Sequence, residues 1–112
     1  MKNTVTVLAP ITLAAGKTED DLLVASNVFQ KDFVDHEPGV LRRELIQISE
    51  SEYMDIIQFK SEQDALDVME KEQNSSVCHA FFAVMDLGES DGAENIVFHR
   101  SLATYEKGSE FA

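Results

Sequence analysis

The rhythm of apolar and polar positions divides the chain into strand, helix, strand, strand, helix and strand. Thr4 to Ile11 (Thr-Val-Thr-Val-Leu-Ala-Pro-Ile) is β-branched and partly alternating, which predicts a first strand. Pro10 has no N–H to give to a ladder, so it belongs at a strand end or on an edge. Ala14-Ala15-Gly16-Lys17 reads as a turn. A helix starts after it: Thr18 can accept from free backbone N–H groups, and Glu19, Asp20 and Asp21 complement the positive end of the dipole. Leu22, Ala25, Phe29 and Phe33 fall at spacings of three and four, giving one apolar stripe, with Lys31, Asp32 and Asp35 free to face water. The helix is expected to run to about His36. Pro38-Gly39 ends it, because proline disfavours helical geometry in the preceding residue and glycine tolerates the turn.

Val40 to Ser49 reads as a second strand and Tyr53 to Lys60 as a third, joined in a hairpin by Glu50-Ser51-Glu52. Ser61-Glu62-Gln63-Asp64 carries the capping signal of a second helix, with a buried stripe expected from Ala65, Leu66 and Met69. Asn74-Ser75-Ser76 breaks or bends it. Val77 to Met85 is apolar nearly all round except for His79, which predicts a short buried helical segment. Asp86 to Glu94 is a polar loop. Ile96 to Tyr105 reads as the fourth strand, with Ile96, Phe98 and Leu102 on one side and Val97, His99 and Ala103 on the other; Lys107 to Ala112 is a tail.

At 112 residues the chain is expected to form a single domain, with its core over about 4–105. A hydrophobic content of 44% excludes wholesale disorder. The apolar run from Val5 to Ala15 is interrupted by Thr6, Pro10 and Thr12; it is a poor secretion signal and too short to span a bilayer, so a cytoplasmic protein is expected. A net charge of −12 argues against nucleic acid, whose phosphates need a basic surface, and against anionic membranes. The lone cysteine, Cys78, excludes an internal disulfide framework and suits a reducing compartment. With three scattered histidines it forms no zinc pattern, and there is no GxGxxG, P-loop or GxSxG.

The order β-α-β-β-α-β predicts a ferredoxin-like α+β fold, a four-stranded antiparallel sheet with the helices on one face. The other face is also apolar. Strand three separates Ile57 and Phe59 from Met54 and Ile56, and strand four is apolar on both sides. Such a sheet must bury both faces, and a second copy of the chain is the cheapest cover, so a two-fold homodimer is expected.

In this arrangement the chain resembles the dimeric α+β barrel superfamily, and within it the small antibiotic-biosynthesis-monooxygenase-like (ABM-like) domains. The resemblance rests on Ala15-Gly16-Lys17 before an acidic helix start and on Pro38-Gly39-Val40-Leu41 leading into Glu44-Leu45. It continues through Tyr53, Phe59-Lys60-Ser61-Glu62-Gln63-Asp64-Ala65 and the segment from Ser75 to Phe82. It implies a small hydrophobic cavity between sheet and helices. Family members use that cavity for cofactor-free oxygenation of quinol-like aromatics, for haem degradation or for isomerisation of small metabolites. Cofactor-free oxygenation needs a protein that binds an electron-rich substrate, assists its deprotonation and excludes water.

His79 is the expected catalytic residue, as base or orienting donor, because Ser75, Ser76, Phe82 and Ala83 surround it at helical spacing. Phe29, Phe81, Phe82 and Tyr53 are the expected substrate-binding residues. The bland alternative for His79 is a histidine satisfied by a backbone carbonyl or partly at the surface. No cofactor or metal is expected, and haem binding is a third reading that rests on His79 alone: haem degraders of the family pair a late-helix histidine with a tryptophan and a first-strand asparagine, and this chain has no tryptophan and offers Thr6 and no asparagine on that strand. Arg42, Arg43, His99 and Arg100 read as cross-strand partners of Glu44 or as a dimer rim, although a bulge in strand two would exchange the inward and outward arginines. Cys78 reads as a buried small hydrophobe and His36 as a dipole complement. A non-catalytic binding or structural dimer module, its cavity filled by its own seven phenylalanines and four methionines, is the alternative from another class.

Overall fold

A computed structural model describes residues 4–86 and 97–105. Its elements are β1 (Val5–Thr12), α1 (Glu19–Asp32), a 3-10 turn (Val34–His36), β2 (Val40–Gln47), β3 (Glu52–Phe59), α2 (Glu62–Glu72), α3 (Ser76–Phe82) and β4 (Val97–Arg100). The four strands form one sheet in the order β2-β3-β1-β4, every pair antiparallel, which is the ferredoxin-like arrangement. Most of the polar loop expected before the fourth strand, with Ile96 and the tail, lies outside the described residues.

Local chemistry accounts for the boundaries. Gly16 takes φ +82° in the turn before α1, a conformation that disfavours side chains. Thr18 and Asp21 then close a capping box, the Asp21 N–H donating to the Thr18 hydroxyl at 3.2 Å and the Thr18 N–H to the Asp21 carboxylate at 2.9 Å. These bonds hold the Asp21 carboxyl below its usual range. Ser61 and Ser75 cap α2 and α3 more simply, their hydroxyls accepting from the Asp64 and Cys78 N–H groups. Gly39 is required by crowding, since a Cβ there would meet the Asp64 side chain at 2.8 Å.

Two boundaries and two buried stripes differ from expectation. The first helix stops at Phe33 instead of His36; Phe33 leaves helical geometry (φ −129°, ψ −61°) and the last residues tighten into the 3-10 turn. Its inner stripe is Leu22, Ser26 and Phe29. On α2 the buried positions are Ala65 and Val68, while Leu66 is 46% exposed. The fourth strand ends at Arg100, five residues early. β4 pairs with Val5–Leu8 of β1, the Ser101 N–H reaches the Thr4 carbonyl, and the chain then runs beyond the end of β1, leaving Leu102 and Tyr105 exposed. Among the described residues the β1–β4 ladder covers Val5–Leu8, and Pro10 is paired with Met54 of β3.

Alternation assigns the two sheet faces. Val5, Val7, Ile11, Tyr53 and Phe59 face the helices and are buried. Leu8, Ile46, Met54 and Ile56 point the other way and stay half-buried, with Val97 46% exposed beside them. That second face carries an apolar stripe with no cover among the described residues.

Candidate functional site

Polar side chains occupy core positions on four elements facing the helical side of the sheet. Their placement starts with a bulge: the β2–β3 register shifts between Val40 and Arg42, so Arg43 and not Arg42 points inward. Arg42 remains outside in an exposed pair with Glu44. Arg43, read from sequence as a cross-strand or rim residue, is 7% exposed and grips Asp55 of β3, itself 4% exposed, with Nε at 3.0 and 2.9 Å from the two carboxylate oxygens. The guanidinium also donates to the Ser26 hydroxyl at 2.7 Å and to the Gln30 amide oxygen at 3.2 Å, both on α1. Its flat faces are used too, 4.9 Å from the Phe29 ring centroid and 5.3 Å from that of Phe81. A guanidinium with so many partners is committed to the protein and is not free to clamp a ligand.

Glu72 closes this cluster from α2. It continues the Ala65–Val68 face by another four residues and is half-buried there. Burial pushes its carboxyl up to about 7, the negative charge of Asp55 adds to the effect, and Arg43 opposes it. The neutral form is thus favoured by folding. Stability from this group is complete below its ordinary value near 4.5 and is lost as pH rises through about 7. Glu72→Gln is expected to stabilise the protein by roughly 1–3 kcal/mol at pH 8 and to change little at pH 4. Urea unfolding at the two pH values measures this directly.

A second polar feature opens to solvent. Between the start of α1 and the β2–β3 hairpin lies a cleft of about 130 Å³ with apolar walls from Leu22, Leu23, Leu45 and Ile46. Its polar end is Tyr53, Glu19 and Gln47. Tyr53 is 5% exposed and its hydroxyl donates to Glu19 Oε1 at 3.0 Å. Desolvation, and then the Glu19 carboxylate, push the phenol above its ordinary value, while a hydrogen bond from Gln47 acts in the opposite sense. The phenol therefore stays protonated and acts as a donor.

The residues singled out from sequence separate into three places. Tyr53 lines the cleft. Phe29, Phe81 and Phe82 come together, with Phe29 and Phe81 stacked at 4.5 Å and 15° and Phe82 tilted against both. Phe29 and Phe81 are each 3% exposed, so this cluster is packed core and lines no open cavity. His79 lies on the exposed side of α3, its Nε2 donating to the Gln73 carbonyl at 2.8 Å. That is the bland alternative, and its cause is the helix phase: α3 turns Cys78 and Phe81 inward and His79 and Ala80 out. Cys78 is fully buried and its thiol is pushed up to about 11 by burial, which leaves it inert. His36, His99 and Arg100 are exposed. Among the described residues no group of three or more His, Cys, Asp or Glu is placed to hold a metal ion, and no helix is long and apolar enough to cross a membrane.

Sequence reasoning missed Glu19 as a site residue, along with Ser26, Asp55 and Glu72. Three of them carried a signal: each is a polar residue at a position where the element's own period calls for an apolar one. Glu19 carried none, since an acid in a first helical turn is explained by the dipole alone.

No protein-family model matches the chain, and no curated protein matches it in sequence. Solved structures do. SnoaB, a cofactor-independent oxygenase from Streptomyces nogalater, superposes with a TM-score of 0.65 at 12% identity over 96% of this chain and 99% of its own. A candidate antibiotic biosynthesis monooxygenase from Bordetella bronchiseptica gives 0.67 at 11% identity over 93% and 100%. A dimeric ferredoxin-like protein of unknown function from Jannaschia gives 0.56 at 10% identity over 85% and 94%. At such identities the likeness is one of fold: this chain carries the ferredoxin-like α+β architecture shared with SnoaB and with proteins described as antibiotic biosynthesis monooxygenases.

Proposed function

We propose that this chain forms a homodimer of the ABM-like type, binds a small, flat, partly apolar molecule between α1 and the β2–β3 hairpin, and oxygenates it without a cofactor. The observation that carries the reading is the cleft, whose apolar walls close on a hydrogen-bonded Tyr53 and Glu19. Its volume supports a small substrate. An apolar cavity of about 150 Å³ accepts benzene, so a cleft of about 130 Å³ is of the size that seats one ring. A phenol or quinol with a single ring fits this class. In such a reaction the substrate supplies all the electrons: one atom of O₂ enters a ring C–H position, the other leaves as water, and the ring is left as a quinone. The protein's part is to hold the ring, keep its hydroxyl oriented and exclude water.

The apolar outer stripe of Leu8, Met54 and Ile56 supports the homodimer, as does the likeness to a dimeric ferredoxin-like protein. The free, buried Cys78 suits the cytoplasm. His79 lies outside this cleft, exposed on α3 with its ring engaged by Gln73, and so is given no role in this reading.

A second reading has a specific observation behind it. The stacked Phe29 and Phe81, with Arg43 against them, fill space between helices and sheet where the family resemblance implies a small cavity, which favours a non-catalytic binding module. Oxygen uptake with hydroquinone and methylhydroquinone separates the two. The oxygenase reading expects protein-dependent uptake above autoxidation, a product labelled from ¹⁸O₂, and at least tenfold less activity in Tyr53→Ala. Binding without uptake would leave the module.

A further inference from the structure

From the cleft's polar end we infer that Glu19 is its specificity-determining residue, selecting neutral rings that carry a hydroxyl and rejecting carboxylates. The inference rests on the cleft being the ligand site. Tyr53 is anchored, with its only proton committed to Glu19 Oε1. The Glu19 carboxylate keeps further lone pairs, because an ionised carboxylate accepts at about four positions and the Tyr53 hydroxyl takes one. Gln47 adds an amide oxygen, while its N–H bonds the Tyr53 oxygen. Among the described residues the cleft's lining contains no lysine, arginine or histidine. Its polar end is therefore rich in acceptors and carries a negative charge.

Such a site has a definite preference. A phenolic O–H can donate to Glu19 while its ring lies between Leu22 and Leu45. A benzoate of the same width would place its charge against the Glu19 carboxylate, on a protein already at −12. The acidic start of α1 thereby does more than complement the dipole. Glu19 is fixed toward the cleft by Tyr53, whereas Asp21 is turned back into the capping box with Thr18.

The experiment is calorimetric or NMR titration of the parent, Glu19→Gln and Tyr53→Phe with hydroquinone and with benzoate, at pH 7 and fixed ionic strength. The parent is expected to bind hydroquinone at least tenfold more tightly than benzoate. Glu19→Gln is expected to weaken hydroquinone about tenfold and to bring the two ligands within about threefold of one another. Tyr53→Phe keeps the carboxylate and so keeps the preference, even if both affinities fall. A purely structural Glu19 would weaken both ligands together and leave their ratio unchanged, which would overturn the inference while the cleft stands. A parent that binds neither ligand would overturn the cleft reading itself. Far-UV circular dichroism establishes that each variant is folded.

Discussion

Asp55→Ala is expected to cost this protein about 3–5 kcal/mol, a large part of the stability a chain of this size can hold. The reason lies in what remains. Arg43 is 7% exposed, and without Asp55 its charge stays buried under α1, hydrogen-bonded to the neutral Ser26 and Gln30, with Glu72 as the remaining nearby acid and no longer an ion pair at contact. Removing one partner of a buried ion pair leaves an uncompensated charge, which costs far more than the pair contributes over an apolar equivalent. The double variant Arg43→Met/Asp55→Leu removes both charges and is expected to recover most of the loss. Thermal unfolding reads both, with the single variant melting at least about 10 °C below the parent. A loss under about 1 kcal/mol would mean that water reaches the pair and that the interior between α1 and the sheet is open.

Ile56→Lys is expected to convert a dimer into a monomer. Ile56 lies opposite Leu8 in the β1–β3 ladder, next to the Pro10–Met54 pair, in the middle of the uncovered sheet face. Across a two-fold axis the substitution introduces two lysines into one apolar interface, each with a desolvation penalty of several kcal/mol. A weakening of dimerisation by at least a hundredfold follows. Sedimentation equilibrium is expected to give twice the 12.5 kDa chain mass for the parent and the chain mass for the variant. A monomeric parent at tens of micromolar would remove the homodimer, and an unchanged dimer in the variant would place the interface elsewhere. Ile56 points away from the helices, so the variant's fold is expected to survive.

The fold was legible because punctuation and period agree along most of the chain. Pro38-Gly39, the serine and threonine caps and the hairpin each act locally, and local chemistry is what a sequence states openly. Displacements of one residue were harder to see. The bulge after Val40 adds a single residue to β2, yet it decides which arginine is buried. Nothing in Val-Leu-Arg-Arg-Glu marks it. On α2, Leu66 and Val68 are both apolar, and only the docking of the helix on the sheet selects Val68.

The site was less legible than the fold for the same reason. The segment from Val77 to Met85 is apolar almost throughout, so its one polar residue drew attention as an inward base. Helix phase instead turned His79 out, because the buried side is already filled by Cys78 and Phe81. Tyr53 was a fair reading, since strand alternation places it with Ile57 and Phe59 on the core face. Glu19 comes to Tyr53 across 34 positions of sequence, and only the packing of α1 on the hairpin makes that contact. Asp55 stands as the outlier of its strand, a charge on the face shared by Tyr53 and Phe59, and deserved to be read as a buried partner.

The most direct test of the cleft is a two-dimensional NMR titration of the isotopically labelled protein with hydroquinone. The account expects saturable shifts at Glu19, Leu22, Leu45 and Tyr53, with the amides of α3 unmoved. Shifts gathered around His79 and Gln73 instead, or none at all at millimolar ligand, would contradict it.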